Sequence, residues 1–241
     1  MPFSRGSLVF TSSGRGFRSF RAEDSKSFDD GNAILRAVHV LVRRMTMGQK
    51  ELWEDVYRKN PRTWRGVSEI PVPCKGKALE LGCGNGKTVA ALLKAGMEVT
   101  GVDFSETAVG KCRELFPTAS FVACDVSSLP FEDGSFDYVT AVHVVENLED
   151  GVLEKAAGEI ARVLKDGGCL LVRCFTPRDM RSGGSRNGIY YRYYTSEGIA
   201  ALFQGMELLE SSETDGPTRF GTVRSTAECL FRKRLRNSQL I

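Results

Sequence analysis

The chain is poor in the residues that build metal centres. It holds only two histidines, His39 and His143, and no pair of cysteines at C-x-x-C spacing. A structural zinc site therefore lacks its usual ligands. The seven cysteines (74, 83, 112, 124, 169, 174 and 229) are odd in number and scattered, as expected of reduced thiols in an intracellular protein. No apolar run approaches the roughly 20 residues needed to span a bilayer. Charge of neither sign dominates, with 33 Lys and Arg against 30 Asp and Glu and a net charge of +3. That balance does not by itself indicate a nucleic-acid partner. What remains is the composition of a soluble globular protein, 41% apolar and 26% charged over 241 residues. This length accommodates one large domain, or one domain with an appendage.

The stretch that organises the rest is K-A-L-E-L-G-C-G-N-G-K over 77–87. A short apolar run enters three glycines spaced two apart, Gly82, Gly84 and Gly86, and an Ala- and Leu-rich helical pattern follows over 88–95. Strand, tight turn and helix in that order open a nucleotide-binding α/β unit. A phosphate-cradling P-loop would need its first glycine at position 81, which is Leu81, so G-x-x-x-x-G-K-[ST] is not met. The dinucleotide fingerprint G-x-G-x-x-G fails at Lys87. The pattern left, Glu80-x-Gly82-x-Gly84-x-Gly86, resembles the first motif of the class I S-adenosylmethionine-dependent methyltransferases. A second apolar run ends on Asp103, about twenty residues past Gly82, where this architecture places an acid on ribose hydroxyls. A carboxylate there accepts two hydrogen bonds from the diol; an acid closing a strand also serves as a turn residue, and Ser105 is placed to cap the next helix.

The later phrases LPFEDGSFDYV (129–139) and VLKDGGCLLV (163–172) resemble the same family, in its small-molecule and ubiquinone-biosynthesis subgroup. The resemblance covers roughly 48–235. It implies an α/β, Rossmann-like doubly wound sheet of seven strands, mostly parallel with an antiparallel last strand. It also implies S-adenosylmethionine held by Glu80, Gly82, Cys83, Gly84, Gly86, Asp103, Phe104, Asp125 and Val126. In the family the acid after strand three meets the adenine amino group, the role carried to Asp125, and the following N–H, that of Val126, meets the ring. No metal is implied.

From the residues, helices are expected over 49–57, 88–95, 106–116, 149–164 and 196–203. Strands are expected over 78–81, 97–103, 120–125, 138–143, 169–175, 206–210 and 226–231, with the last turn around 215–217. Along 49–57, Leu52, Trp53, Val56 and Tyr57 share one helical face; such a helix either covers the cofactor or simply packs on the sheet. Trp64, in the turn-rich stretch after it, is a candidate for the pocket rim. His143 closes strand four, where catalytic groups gather in open α/β sheets. Its ordinary pKa suits a general base, although the family often touches the methionine part of the cofactor here through the backbone alone. Tyr191, Arg192 and Tyr193, in the run Y-Y-R-Y-Y of 190–194, are candidates for substrate contact; the same tyrosines would also pack as part of the fold.

The expected domain is 47–236, with a short tail over 237–241. Residues 1–46, with Arg5, Arg15, Arg18 and Arg21 and no acid before Glu23, read as a disordered basic arm, as a mitochondrial transit peptide, or as the product of a start codon placed too early. Localisation follows that choice, cytoplasmic or mitochondrial. The functional expectation is methyl transfer to a small molecule or modified nucleotide. The alternatives are an RNA-directed enzyme and a non-catalytic subunit that keeps the fold to activate a partner. The [DNS]-P-P-[YFW] motif of amino-methylating nucleic-acid enzymes is absent after strand four, where Val142-His143-Val144 stands.

Overall fold

The structure, a computed structural model, describes residues 48–59, 66–182, 188–218 and 220–235. The basic segment 1–46, Trp64 and Arg186 lie outside these residues. The sheet has seven strands: β1 (Lys77–Leu81), β2 (Glu98–Asp103), β3 (Ser120–Ala123), β4 (Phe136–Val142), β5 (Leu164–Phe175), β6 (Glu207–Pro217) and β7 (Val223–Arg232). They lie in the order β3-β2-β1-β4-β5-β7-β6. Five strands, β3, β2, β1, β4 and β5, pair in parallel, and β6 runs in the same direction. β7 pairs antiparallel with both β5 and β6, so it is the one reversed strand, as expected of the last. Helix α1 (Gln49–Lys59) precedes the sheet, and α2 (Lys87–Lys94), α3 (Glu106–Leu115), α4 (Asp150–Val163) and α5 (Ser196–Leu202) connect its strands.

Two apolar layers hold the helices. Along β1 and β4 the side chains alternate between them. Ala78 and Tyr138 pack with Val89, Leu92 and Val109 of α2 and α3. Leu79, Leu81, Val139 and Ala141 pack with Ile160, Val163 and Ile199 on the other face. A strand buried on both sides cannot show polar alternation, so β1, β4 and β5 read as continuous apolar runs.

The strand order reverses at β1, whose neighbours are β2 and β4. This is the switch point at which open α/β sheets leave a crevice. The register closes the crevice with chosen residues. Leu81 stands level with Val102 and Ala141, and Asp103 with Ala123. Gly82, Asp103, the residues after Ala123, and His143 therefore emerge together at one edge.

Several boundaries differ from expectation, and four of them have a clear local cause. β3 stops at Ala123, because Asp125 is already folded into a turn in which its carboxylate accepts from the Ser127 N–H at 2.8 Å. β4 begins at Phe136, two residues earlier than the apolar run suggests. β5 begins at Leu164 rather than Cys169. The 165–168 stretch is a bulge between the pairs Phe136–Leu164 and Tyr138–Cys169, with Gly167 at φ 78 and its N–H on the Lys233 carbonyl. β6 runs on to Pro217, and the reversal lies at 218–222, closed by the Thr218 N–H on the Thr222 carbonyl at 2.7 Å. β6 is a largely exposed edge strand, so it carries no apolar periodicity to mark its length.

Candidate active site

At the crevice a cavity of about 460 Å³ is lined by Gly82, Asp103, Phe104, Asp125, Val126 and His143 from the strand ends, and roofed by Gln49, Trp53 and Tyr57 of α1. Its volume lies in the range of small-ligand sites. The glycine loop forms its floor. Gly84 has φ 44, a conformation that costs a side chain dearly. A Cβ there would sit 2.7 Å from the Tyr57 hydroxyl, so the loop and the roof helix meet only because the side chain is missing.

Asp103 is buried, 2% exposed, yet faces the cavity. Its Oδ2 accepts from the Gly84 N–H and its Oδ1 from the Ser105 N–H, both at 2.9 Å. Burial pushes its carboxyl up to about 6, opposed by those backbone donors. The acid thus ties the glycine loop to β2 and presents an acceptor to a bound diol. Ser105 also caps α3, accepting from the Ala108 N–H at 3.1 Å. Asp125 commits Oδ1 to the N–H and hydroxyl of Ser127, which holds the carboxylate at the cavity edge.

Four expected cofactor residues do not line the cavity: Gly84, whose N–H is taken by Asp103, and three behind the wall. Gly86 starts α2. Cys83 is 4% exposed, with its N–H on the Val102 carbonyl at 2.7 Å. Glu80 is 2% exposed and receives the Thr140 hydroxyl. Burial drives the Glu80 carboxyl well above the usual range, against the hydrogen bonds from Thr140 and Thr88, which favours its uncharged form over that of an exposed glutamate. Glu80→Gln, which keeps size and polarity without a charge to desolvate, is expected to unfold within ~1 kcal/mol of wild type. Glu80→Ala leaves a hole and an unpaired Thr140 and should cost ~2–4 kcal/mol. Denaturant titration at pH 7 compares the two, and equal losses would show that an uncharged amide does not replace Glu80 in its hydrogen bond with Thr140.

The expected substrate residues are placed differently. Tyr191, Arg192 and Tyr193 do not line the cavity. The Arg192 guanidinium is held by Asp150 and by the Tyr190 hydroxyl at 2.8 Å. The Tyr193 hydroxyl donates to the Arg181 carbonyl at 2.5 Å. Arg178 likewise pairs with Glu213 at 2.7 Å and Asp215 at 3.2 Å. In this structure the cluster's charges are paired with neighbouring side chains near the surface.

Residues not singled out in the sequence fix the segment beside the cavity. The Gln49 side chain reads the backbone of 188–190 from both sides, accepting from the Tyr190 N–H at 2.9 Å and donating to the Gly188 carbonyl at 3.1 Å. Asn147 donates to the Tyr190 carbonyl at 2.8 Å, and the Arg192 N–H reaches the Glu146 carbonyl at 2.7 Å. Only the apolar stripe of α1 was visible beforehand; an amide that bonds across 141 residues leaves no local pattern. Gln49→Ala should loosen the roof, speeding amide exchange at Tyr190 at least tenfold with little change in melting temperature; unchanged exchange would show that Gln49 does not hold it.

A seven-stranded doubly wound sheet, a glycine loop after β1 and acids after β2 and β3 are the features expected of a class I methyltransferase domain, the class that takes its methyl group from S-adenosylmethionine. Residues 79–172 match the family described as methyltransferase domain. Among curated proteins the chain is similar to a demethylmenaquinone methyltransferase of Beutenbergia cavernae, 30% identical over 150 residues, covering 61% of this chain and 62% of that protein. It is also similar to the 2-methyl-6-phytyl-1,4-hydroquinone methyltransferase of Synechocystis, 37% identical over 122 residues, covering 49% of this chain and 37% of that one. The chain thus spans less than two thirds of these relatives. In fold it resembles a methyltransferase from Methanosarcina mazei, with TM-score 0.58, 21% identity, and coverage of 66% of this chain and 93% of that one. It also resembles a 1,6-didemethyltoxoflavin-N1-methyltransferase from Burkholderia thailandensis, with TM-score 0.53, 18% identity, and coverage of 90% and 98%.

The residues present fit an adenosyl cofactor. The buried Asp103 carboxylate suits a ribose diol, and the free edge of Asp125 suits an exocyclic amine. Phe104 and Val126 line the same cavity and would flank the base. No helix among the described residues is long and apolar enough to cross a membrane.

Proposed function

We propose that this chain methylates a small molecule, with S-adenosylmethionine as donor and a hydroxylated aromatic ring of the quinol type as acceptor. The observation that carries the reading is the shared cavity. It brings Asp103 and Asp125, the acids suited to a nucleoside, to the same space as His143, the candidate base. The named chemistry of the curated relatives, a demethylmenaquinone and a hydroquinone, supports the acceptor class.

When bound, the cofactor supplies an electrophilic methyl on a sulfonium. The protein's part is to hold the nucleophile in line with it and to keep water away. Gln49, Trp53 and Tyr57 cover the cavity from α1, with Trp53 stacked on Tyr57 at 5.6 Å. The apolar side chains Val144, Leu148 and Val152 line it as well, in keeping with an aromatic guest.

The test is transfer from methyl-labelled S-adenosylmethionine into a cell extract separated into small-molecule, RNA and protein fractions. Label in an organic-soluble quinol fraction is the expected result. Label in RNA alone, or cofactor binding with no transfer into any fraction, would overturn it in favour of an RNA-directed enzyme or a non-catalytic subunit.

A further inference from the structure

His143 is the one described residue other than glycine with positive φ, at 60°. A left-handed backbone costs a side chain of this kind ~1 kcal/mol or more and persists where the surroundings impose it. Here the surroundings are specific. The His143 N–H is held by the Arg173 carbonyl at 2.8 Å, and the ring stacks on Phe175 at 4.0 Å. Its Nδ1 lies 3.1 Å from Oε1 of Glu146.

Glu146 is completely buried. Its second oxygen accepts from the Phe175 N–H at 2.8 Å, so the carboxylate cannot turn away. A carboxylate only accepts, which makes Nδ1 the protonated nitrogen and leaves the Nε2 lone pair free. The imidazole lines the cavity, and its side chain is 34% exposed.

We infer that Glu146 is a positioning residue that holds His143 as a base with Nε2 available to the cavity, and that the acceptor is a hydroxyl that gives up its proton as it is methylated. This rests on the reading that the cavity hosts methyl transfer. The step balances. Nε2 takes the hydroxyl proton, and the oxygen's electron pair forms the bond to the methyl carbon. The carbon–sulfur bond breaks with its pair kept by sulfur, so the sulfonium becomes a neutral thioether. In a quinol the ionised ring offers the same pair at the carbon beside the oxygen, and the ring hydrogen there then moves to the oxygen. In both cases the imidazolium formed faces the Glu146 carboxylate. A carboxylate acceptor, already ionised at neutral pH, would leave this constellation without use.

Other titratable or charged groups stand on the elements around His143. Cys174, beside Glu146, is held a neutral thiol by burial. The Arg181 guanidinium lies over the Phe175 ring at 4.2 Å. Lys50, Asp103, Asp125 and Glu149 stand around the cavity. Among the described residues, Glu146 is the carboxylate that bonds the imidazole.

With two histidines in the chain, nitrogen-15 NMR of the full-length protein reads each tautomer directly, and His39→Gln assigns them. At pH 8.5, His143 is expected as the Nδ1–H tautomer. In Glu146→Gln the amide still accepts from Phe175, but its NH₂ now donates to Nδ1. The proton moves to Nε2, and the base is lost. The Gln variant should therefore show the flipped tautomer, bind S-adenosylmethionine within twofold of wild type, and lose about 100-fold or more in kcat. Glu146→Asp should restore the tautomer. An Nε2–H tautomer in the wild type, or no change in the variant, overturns the positioning role. A methylated product that is an ester or an amine overturns the acceptor class, whereas an ether or ring-methyl product supports it. A wild-type chain that binds no S-adenosylmethionine while His143 shows the Nδ1–H tautomer would instead count against the reading of the cavity itself.

Discussion

Replacing Asp103 by alanine is expected to weaken S-adenosylmethionine binding by a factor of about 100 to 1,000, measured by isothermal titration. The carboxylate stands to give two charge-assisted hydrogen bonds to the ribose, each worth ~1.5–3 kcal/mol when buried. It also holds the Gly84 N–H, so its loss frees the floor of the cavity as well. An affinity within threefold of wild type would remove Asp103 from the cofactor site. The elevated carboxyl, near 6, adds a pH signature. Below that value the group is protonated and accepts poorly, so wild-type affinity should fall as pH drops from 7 to 5, while Asp103→Asn should lose this dependence. The sign for folding is opposite. An unfolded aspartate titrates near ~3.9, so between about 4 and 6 the native state binds the proton more readily. Stability of the cofactor-free protein gains from this group as pH falls through that window, and the gain is absent above it.

Gly86→Ala should cost ~2–5 kcal/mol of stability, the sum of a strained left-handed residue and an overpacked contact. Gly86 has φ 73 and begins α2. A Cβ there would lie 2.3 Å from one ring carbon of Phe116 and 3.0 Å from another. Phe116 follows α3 and packs against the layer that holds α2, so the ring has little room to withdraw. Calorimetry should show a drop in melting temperature of roughly 5–20 °C, and a fall below 2 °C would mean that the helix start relaxes around the added methyl. Gly96→Ala is a useful contrast. It shares a positive φ of 81 but meets nothing within 4 Å, so it should lose only the ~1 kcal/mol of backbone strain.

Much of this molecule was legible before any coordinates. The period-two and 3.6-residue patterns placed β1, β2, α2 and α3 to within a residue or two, because each carries a continuous buried face or a capped start. Asp103 and Asp125 were visible because an acid closing an apolar run is a local feature, and strand ends of a parallel sheet gather at one edge. β6 was drawn too short because an edge strand exposed along its length has no apolar alternation to read. The Tyr190–Tyr194 run looked like a ligand contact because aromatic residues and arginine side by side attract ligands in general. In the fold Asp150 and two tyrosine hydroxyls occupy the Arg192 guanidinium.

The chain's order of residues determined by itself that a glycine turn joins an apolar strand to a helix, that two acids close the next two strands, and that this set matches a methyl-transfer domain. Only the tertiary structure decided which of those residues face the cavity and which brace it. Glu80, Cys83 and Gly86 sit behind the wall because the loop must turn inward over them, a matter of backbone angles and close approach. Glu146 joined the site because a left-handed residue at the end of β4 folds the chain back, bringing a carboxylate three residues on against the imidazole. A buried carboxylate bonded to a backbone N–H in the neighbouring strand depends on the register between β4 and β5, and register is a property of the folded sheet.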